Sequence, residues 1–192
     1  MTSLEQYIHQ SIALSPENLK AIAGYFKPSE LKKGDFFARS GRYCEKLSFI
    51  QSGYMRVFFE ANDREVTQWI SPPGYFMTDL SSYIYRQPGR WNIQALTDCT
   101  MLDLSRDAYD TLCKEVPVWK DLDRLFIVKC FGMLEERVFS HLYMSTEERF
   151  NLLMKTQPEL FNIVPLQYLA SMLGMTPETL SRLRKKSSSL TS

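Results

Sequence analysis

The residues with most to offer chemically lie near the end of the 192-residue chain. After Glu178 there is no acidic residue, while Arg182, Arg184, Lys185 and Lys186 crowd together. Cations at that density can bind a polyanion, but only if one element presents them to it; otherwise they are a solvated charged tail. The rest of the chain is poor in reacting groups. Its two histidines, His9 and His141, lie far apart, and the four cysteines (Cys44, Cys99, Cys113 and Cys130) form no CxxC pair. Zinc and iron–sulfur sites need clustered thiolates or imidazoles, so no metal site is expected. The cysteines read as small buried hydrophobes in a reducing compartment. A metal-dependent enzyme on a small barrel would need several histidines and a carboxylate converging inside it. With no Gly-rich phosphate loop, nucleophile elbow or Cys/His dyad either, no catalytic activity is expected.

What must position the cations is the stretch Val164–Lys186. Its first half predicts a short helix with Leu169, Met172 and Leu173 inward and Ala170 small where a second helix would cross closely. Gly174 falls where the chain must take a positive φ to turn tightly. Thr176 can cap the next helix, and Pro177 suits its first position. Leu180 and Leu183 then face inward, leaving Glu178, Thr179, Ser181, Arg182 and Lys185 outward. Two helices joined by a glycine turn, the second polar and basic outside, form a helix-turn-helix whose second helix enters the major groove of DNA. An ordinary αα-hairpin with a solvated face has no need of this spacing of Ala, Gly and Leu.

Upstream, Ser15 and Pro16 open a helix carrying Leu19, Ile22, Ala23 and Phe26 at helical spacing. From Leu31 to about Leu104, short β-prone runs alternate with glycine and Asn62-Asp63 turn signals, which suggests a small antiparallel barrel or sandwich. Ser105 offers a cap for a helix from about Asp107. Pro117 to about Met144 reads as one long helix, apolar on more than one face (Trp119, Leu122, Leu125, Phe126, Val128, Phe131, Leu134, Val138, Leu142). It is expected to pack against two surfaces, its own barrel and a second copy of itself. Ser145–Glu148 fits a capping box that opens a further helix to about Thr156. The hydrophobic content of 44% is ample for a core, and the net charge of +1 does not by itself announce a polyanion partner. No run of about 18 apolar residues predicts a membrane span. Glu5, Gln6, His9 and Gln10 stand where a signal peptide would be apolar, so a cytoplasmic location is expected.

The order of these parts, ending in Leu169–Lys186, resembles the Crp/Fnr regulators, named for the cyclic-AMP receptor protein. The resemblance covers nearly the whole chain and is closest in the helix-turn-helix. It implies an α+β fold with flanking helices around a cyclic-nucleotide-binding-like antiparallel β-roll, of double-stranded β-helix or jelly-roll type. The implied divisions are an effector domain over 1–115, a dimerisation helix over 116–144 and a helix-turn-helix domain over 145–192. It further implies a homodimeric transcription regulator on palindromic double-stranded DNA, with RNA polymerase as a further partner. Carried over position by position, Pro177, Glu178 and Arg182 become base readers, Glu178 accepting from a cytosine amino group and Arg182 binding a guanine edge or phosphate. Thr176 belongs to the same site as its cap, and Thr179, Ser181, Arg184, Lys185 and Lys186 would contact phosphates. Proline at 177 departs from the polar or basic reader of the best-known members, so a different operator is expected. No β-hairpin wing follows Lys186, and DNA binding is expected to rest more on the basic tail.

The family's phosphate-binding cassette pairs Gly-Glu with a later Arg-Ser or Arg-Thr. Here Thr78-Asp79 takes the first place, and Gly89-Arg90, a position out of step and followed by Trp91, the second. A cyclic phosphate needs a guanidinium and amide or hydroxyl donors converging on one point. Cyclic AMP is therefore not expected; the β-roll is read as sensing another small molecule or none. Thr78, Asp79, Arg86 and Arg90 are the candidate contacts, with solvated loop charges as the alternative. No cofactor is expected: residues 1–33 hold no cysteine cluster for iron and sulfur, and neither histidine falls in the β segment to ligate haem. A module of the same fold that binds a ligand or a protein and has lost specific DNA recognition is the alternative function, suggested by Pro177 and the missing wing.

Overall fold

The computed structural model describes residues 3–11 and 14–190. Two short helices, α1 (Ser3–Ser11) and α2 (Pro16–Gly24), precede the strands β1 (Lys27–Leu31), β2 (Phe36–Ala38), β3 (Lys46–Ser52), β4 (Met55–Ala61), β5 (Arg64–Ser71) and β6 (Phe76–Met77). After α3 (Leu80–Tyr85) come β7 (Asn92–Ala95) and β8 (Cys99–Ser105). Six helices complete the chain: α4 (Arg106–Glu115), α5 (Trp119–Tyr143), α6 (Thr146–Thr156), α7 (Leu160–Ile163), α8 (Leu166–Met172) and α9 (Pro177–Leu190). The fold is α+β, an antiparallel β-roll flanked by helices with a helical C-terminal region. The expected N-caps are in place, Ser15 accepting from the Asn18 N–H and Ser105 from the Ala108 N–H.

The strands form two four-stranded sheets in the orders β1-β8-β3-β6 and β2-β7-β4-β5. Two turns show why the sequence punctuates where it does. Asn62 and Asp63 both have positive φ (50° and 58°), as the tight hairpin between β4 and β5 requires. A Cβ at Gly53 would lie 2.4 Å from the Asp98 carbonyl oxygen, so only glycine lets β3 turn into β4 there.

Side chains alternate across the first sheet. Leu47, Phe49 and Leu104 join Leu4 and Ile8 of α1, Leu19 and Ile22 of α2, Tyr109 and Leu112 of α4, and Trp119 and Leu122 of α5 in one apolar cluster. On the other face of the same strands Ile50, Cys99 and Met101 are buried inside the roll. The sequence does not announce α1, α3 or α7. None of them opens on a Ser-Pro or Thr-Pro pair, and each buries at most two apolar residues, in α1 Leu4 and Ile8 one turn apart.

Packing divides the chain into two units, Met1–Phe59 with Ile70–Lys129, and Glu60–Trp69 with Cys130–Ser192. The 25 residues of α5 run through the boundary over about 38 Å. Only Trp119 and Leu122 of this helix are fully buried, with Phe126 packed beside them. Ile127, Phe131, Leu134 and Val138, spaced by four, three and four residues, stay exposed, as do Val128 and Leu142. Of the cysteines, Cys44 and Cys99 are buried as expected, whereas Cys113 and Cys130 are only half-buried because they sit on helix flanks. Among the described residues no helix is long and apolar enough to cross a membrane.

Candidate nucleic-acid interface

The second unit builds its outer helix on a local sequence logic. Leu169, Ala170 and Leu180 are fully buried, so α8 and α9 meet through two leucines over an alanine that lets them approach. Gly174 takes φ +66°, the left-handed conformation that ends a helix, and the Met175 N–H donates back to the Ala170 carbonyl. Thr176 Oγ1 accepts from the Thr179 N–H at 3.3 Å, and Pro177 starts α9.

Of the residues singled out in the sequence, Pro177, Glu178, Ser181, Arg182 and Lys185 line one open surface of α9. Thr176 and Thr179 lie in the cap, their hydroxyls 3.2 Å apart. Two of the expected phosphate contacts point away from that surface. Arg184 reaches Asn162 Oδ1 at 3.5 Å on α7, and Lys186 pairs with Glu147 at 2.8 Å on α6. Helical spacing explains the split, since 178, 181, 182 and 185 share a face that 184 and 186 do not. The Glu178 N–H and the Thr176 hydroxyl hold the Glu178 carboxyl below the usual carboxylate range.

The last turn of α8 is held by three elements that the sequence does not point to. Ser171 Oγ accepts from the Thr67 N–H at 2.9 Å and donates to the Glu65 carbonyl at 3.3 Å in the β4–β5 hairpin. Arg137 of α5 donates to the Met172 carbonyl at 2.7 Å, and Arg149 of α6 to the Leu173 carbonyl at 2.9 Å. Each contact joins residues at least 24 positions apart. The only local sign is an arginine set among the apolar residues of a helix, as Arg137 is beside Val138.

In the first unit the four cassette candidates are engaged by the chain itself. Asp79 is 2% exposed. One of its oxygens caps α3 through the Ser82 N–H at 3.1 Å, and the other accepts from the Arg90 and Trp91 N–H groups at 2.8 and 3.1 Å. Thr78 donates to the Lys46 carbonyl at 2.9 Å. Arg86 ends α3 in the left-handed conformation and pairs with Asp110 at 2.8 Å. The Arg90 side chain is exposed, lying against the rings of Phe59 and Trp91.

Residues 28–116 match the family model for the cyclic nucleotide-binding domain. No curated protein matches the chain at the sequence level. Among solved structures, the c-di-GMP-responsive global regulator CLP of Xanthomonas campestris is similar at TM-score 0.71 and 16% identity, over 91% of this chain and 92% of that one. The catabolite activator protein of Thermus thermophilus is similar at TM-score 0.59 and 21% identity, over 94% and 85%. A structure described as a Crp/Fnr family transcriptional regulator, from Eubacterium rectale, is similar at TM-score 0.68 and 17% identity, over 92% and 87%. The chain has the Crp/Fnr fold.

Asp79 and Arg90 hold the two places of the phosphate cassette described in the sequence. A bound ribose and phosphate would need Asp79 oxygens and an Arg90 guanidinium turned toward them. Both Asp79 oxygens are taken by chain amides, and the Arg90 guanidinium lies over the rings of Phe59 and Trp91. A Cβ at Gly89 would come within 2.8 Å of Asp79 Oδ2, so the loop is closed tightly around that carboxylate.

Proposed function

We propose that this chain is a sequence-specific DNA-binding transcription regulator that works as a homodimer and catalyses no reaction. The observation that carries this reading is the α9 surface of Pro177, Glu178, Ser181, Arg182 and Lys185, raised on a capped helix after a left-handed glycine turn. A helix so presented can enter a major groove, where Arg182 reaches a guanine edge or phosphate and Lys185 a phosphate. Glu178 can accept from a cytosine amino group. Proline at the first position offers apolar contact in place of a hydrogen bond, which argues for an operator of its own. The labour divides into an effector domain (1–115), a dimerisation helix (116–144) and a DNA-reading domain (145–192). The exposed stripe Ile127, Phe131, Leu134 and Val138 supports pairing of α5 with a second copy, because its spacing is that of a coiled-coil seam. The effector domain senses a small molecule other than cyclic AMP, or none.

Selection of bound duplexes from a random library, at one stated near-physiological salt concentration, tests the reading. Enrichment of a palindrome is the expected result, its half-site showing what a proline-headed helix selects. Salt-sensitive binding without enrichment would overturn it in favour of a module that has lost specific recognition.

A further inference from the structure

The carbonyls at the end of α8 can be accounted for one by one. A seven-residue helix leaves most of its carbonyl groups without an intrahelical donor. Leu169 O takes the Leu173 N–H, Ala170 O the Met175 N–H and Ser171 O the Gly174 N–H. The next two, Met172 O and Leu173 O, are taken by the guanidinium groups of Arg137 and Arg149. Arg149 also donates to the Met144 carbonyl at 2.6 Å, at the joint between α5 and α6. Two cations therefore sit at the negative end of α8, in charge-assisted hydrogen bonds and next to the glycine that sets the course of α9.

We infer that Arg137 is a positioning residue for the recognition helix: together with Arg149 it fixes the last turn of α8 and so the direction in which α9 leaves Gly174. The inference rests on the reading of α9 as the element that meets DNA. Burial pulls the Arg137 pKa down to about 10, which leaves the guanidinium charged at neutral pH. Arg137 sits on α5, ten residues after Ile127 in the exposed apolar stripe, so it ties α8 to the helix proposed to pair with a second copy. The consequence is a division between two kinds of binding. Base readout needs side chains within hydrogen-bond distance of base edges, whereas binding to any duplex needs only cations near phosphates. A loosened α8 turn should damage the first and spare the second.

The test compares full-length wild type, Arg137→Met and Arg137→Lys. Affinities are measured for the selected duplex and for a scrambled duplex of equal length, and amide hydrogen exchange is measured on each protein. Arg137→Met is expected to lose roughly tenfold or more on the selected duplex while changing the scrambled one about twofold at most. Exchange should speed up over residues 172–180 and stay unchanged in the strands. Arg137→Lys, which keeps one donor, should fall between. Unchanged exchange and affinity in Arg137→Met would overturn the assignment, as would an equal loss on both duplexes. If Arg137→Met loses its helical content, exchange over 172–180 in Arg137→Lys decides: faster supports positioning, and unchanged overturns it. Unfolding of both variants would make Arg137 a packing residue and overturn it too. If wild type selects no duplex, the DNA reading of α9 fails, and the exchange comparison judges Arg137 on its own.

Discussion

Arg182 and Lys185 share one face of α9, yet a base edge and a phosphate ask different things of a cation. Planar, bidentate recognition suits guanidinium, while a phosphate is satisfied by a point charge. Arg182→Ala is accordingly expected to weaken binding to the selected duplex by about 1–3 kcal/mol and to relax preference at one base position. Lys185→Ala should weaken all duplexes alike and reduce the salt slope by about one. Titrations at several salt concentrations read both. Asp79 carries the sharpest expectation in the β-roll. Asp79→Ala removes the acceptor of three N–H groups at once, those of Ser82, Arg90 and Trp91. Loss of a cap plus unsatisfied loop amides should cost about 2–4 kcal/mol in urea unfolding. A loss under half a kcal/mol (about the scatter of surface substitutions) would show that the loop does not depend on this carboxylate.

At the scale of elements, the helix starts were the most legible part of the sequence. Ser15-Pro16, Ser105, Ser145–Glu148 and Thr176-Pro177 all act within four residues of themselves, so their chemistry can be read from spacing alone. The clamp on α8 was not legible, because Ser171 meets Thr67 over 104 positions and Arg137 meets Met172 over 35. Arg184 and Lys186 crowd with Arg182 and Lys185 in the sequence but turn to Asn162 and Glu147, because a helix distributes successive residues around its axis. The caps also predict a response to acid. Glu148 is held low by the Ser145 hydroxyl and N–H, and Glu178 by its own N–H and the Thr176 hydroxyl. A carboxyl whose folded pKa lies below its unfolded one stabilises the fold above the unfolded value and loses that contribution as pH falls through the folded one. Stability of the wild type should therefore decline as the pH falls below about 5, and Glu148→Gln with Glu178→Gln should flatten that decline. Unfolding curves collected at stepped pH on both proteins check it; parallel declines would mean that neither cap contributes.

At the scale of the whole molecule, the sequence showed that α5 is apolar on more than one side but not how little of it the chain's own core would take up. Burial ends near Phe126, and the exposed stripe begins at Ile127. Phe131→Glu is expected to turn a dimer into a monomer in sedimentation, with loss of binding to the palindrome, since a charge at a seam position opposes pairing. A dimeric Phe131→Glu protein would place the seam elsewhere. The strand and turn pattern of the roll was readable from Gly53, Asn62-Asp63 and the β-prone runs, whereas the role of Asp79 as a loop clamp was hidden, because the same carboxylate could equally have faced a ribose. The hairpin tip bears on how such proteins diversify. The unit that contains α8 and α9 is discontinuous in sequence: Glu60–Trp69 belongs to it as well as Cys130–Ser192. A single crossover between two genes would bring in the helices and leave behind the Glu65 and Thr67 backbone that grips Ser171. Exchange of the C-terminal helices between relatives, by recombination or at the bench, should thus succeed more often when the start of β5 travels with them.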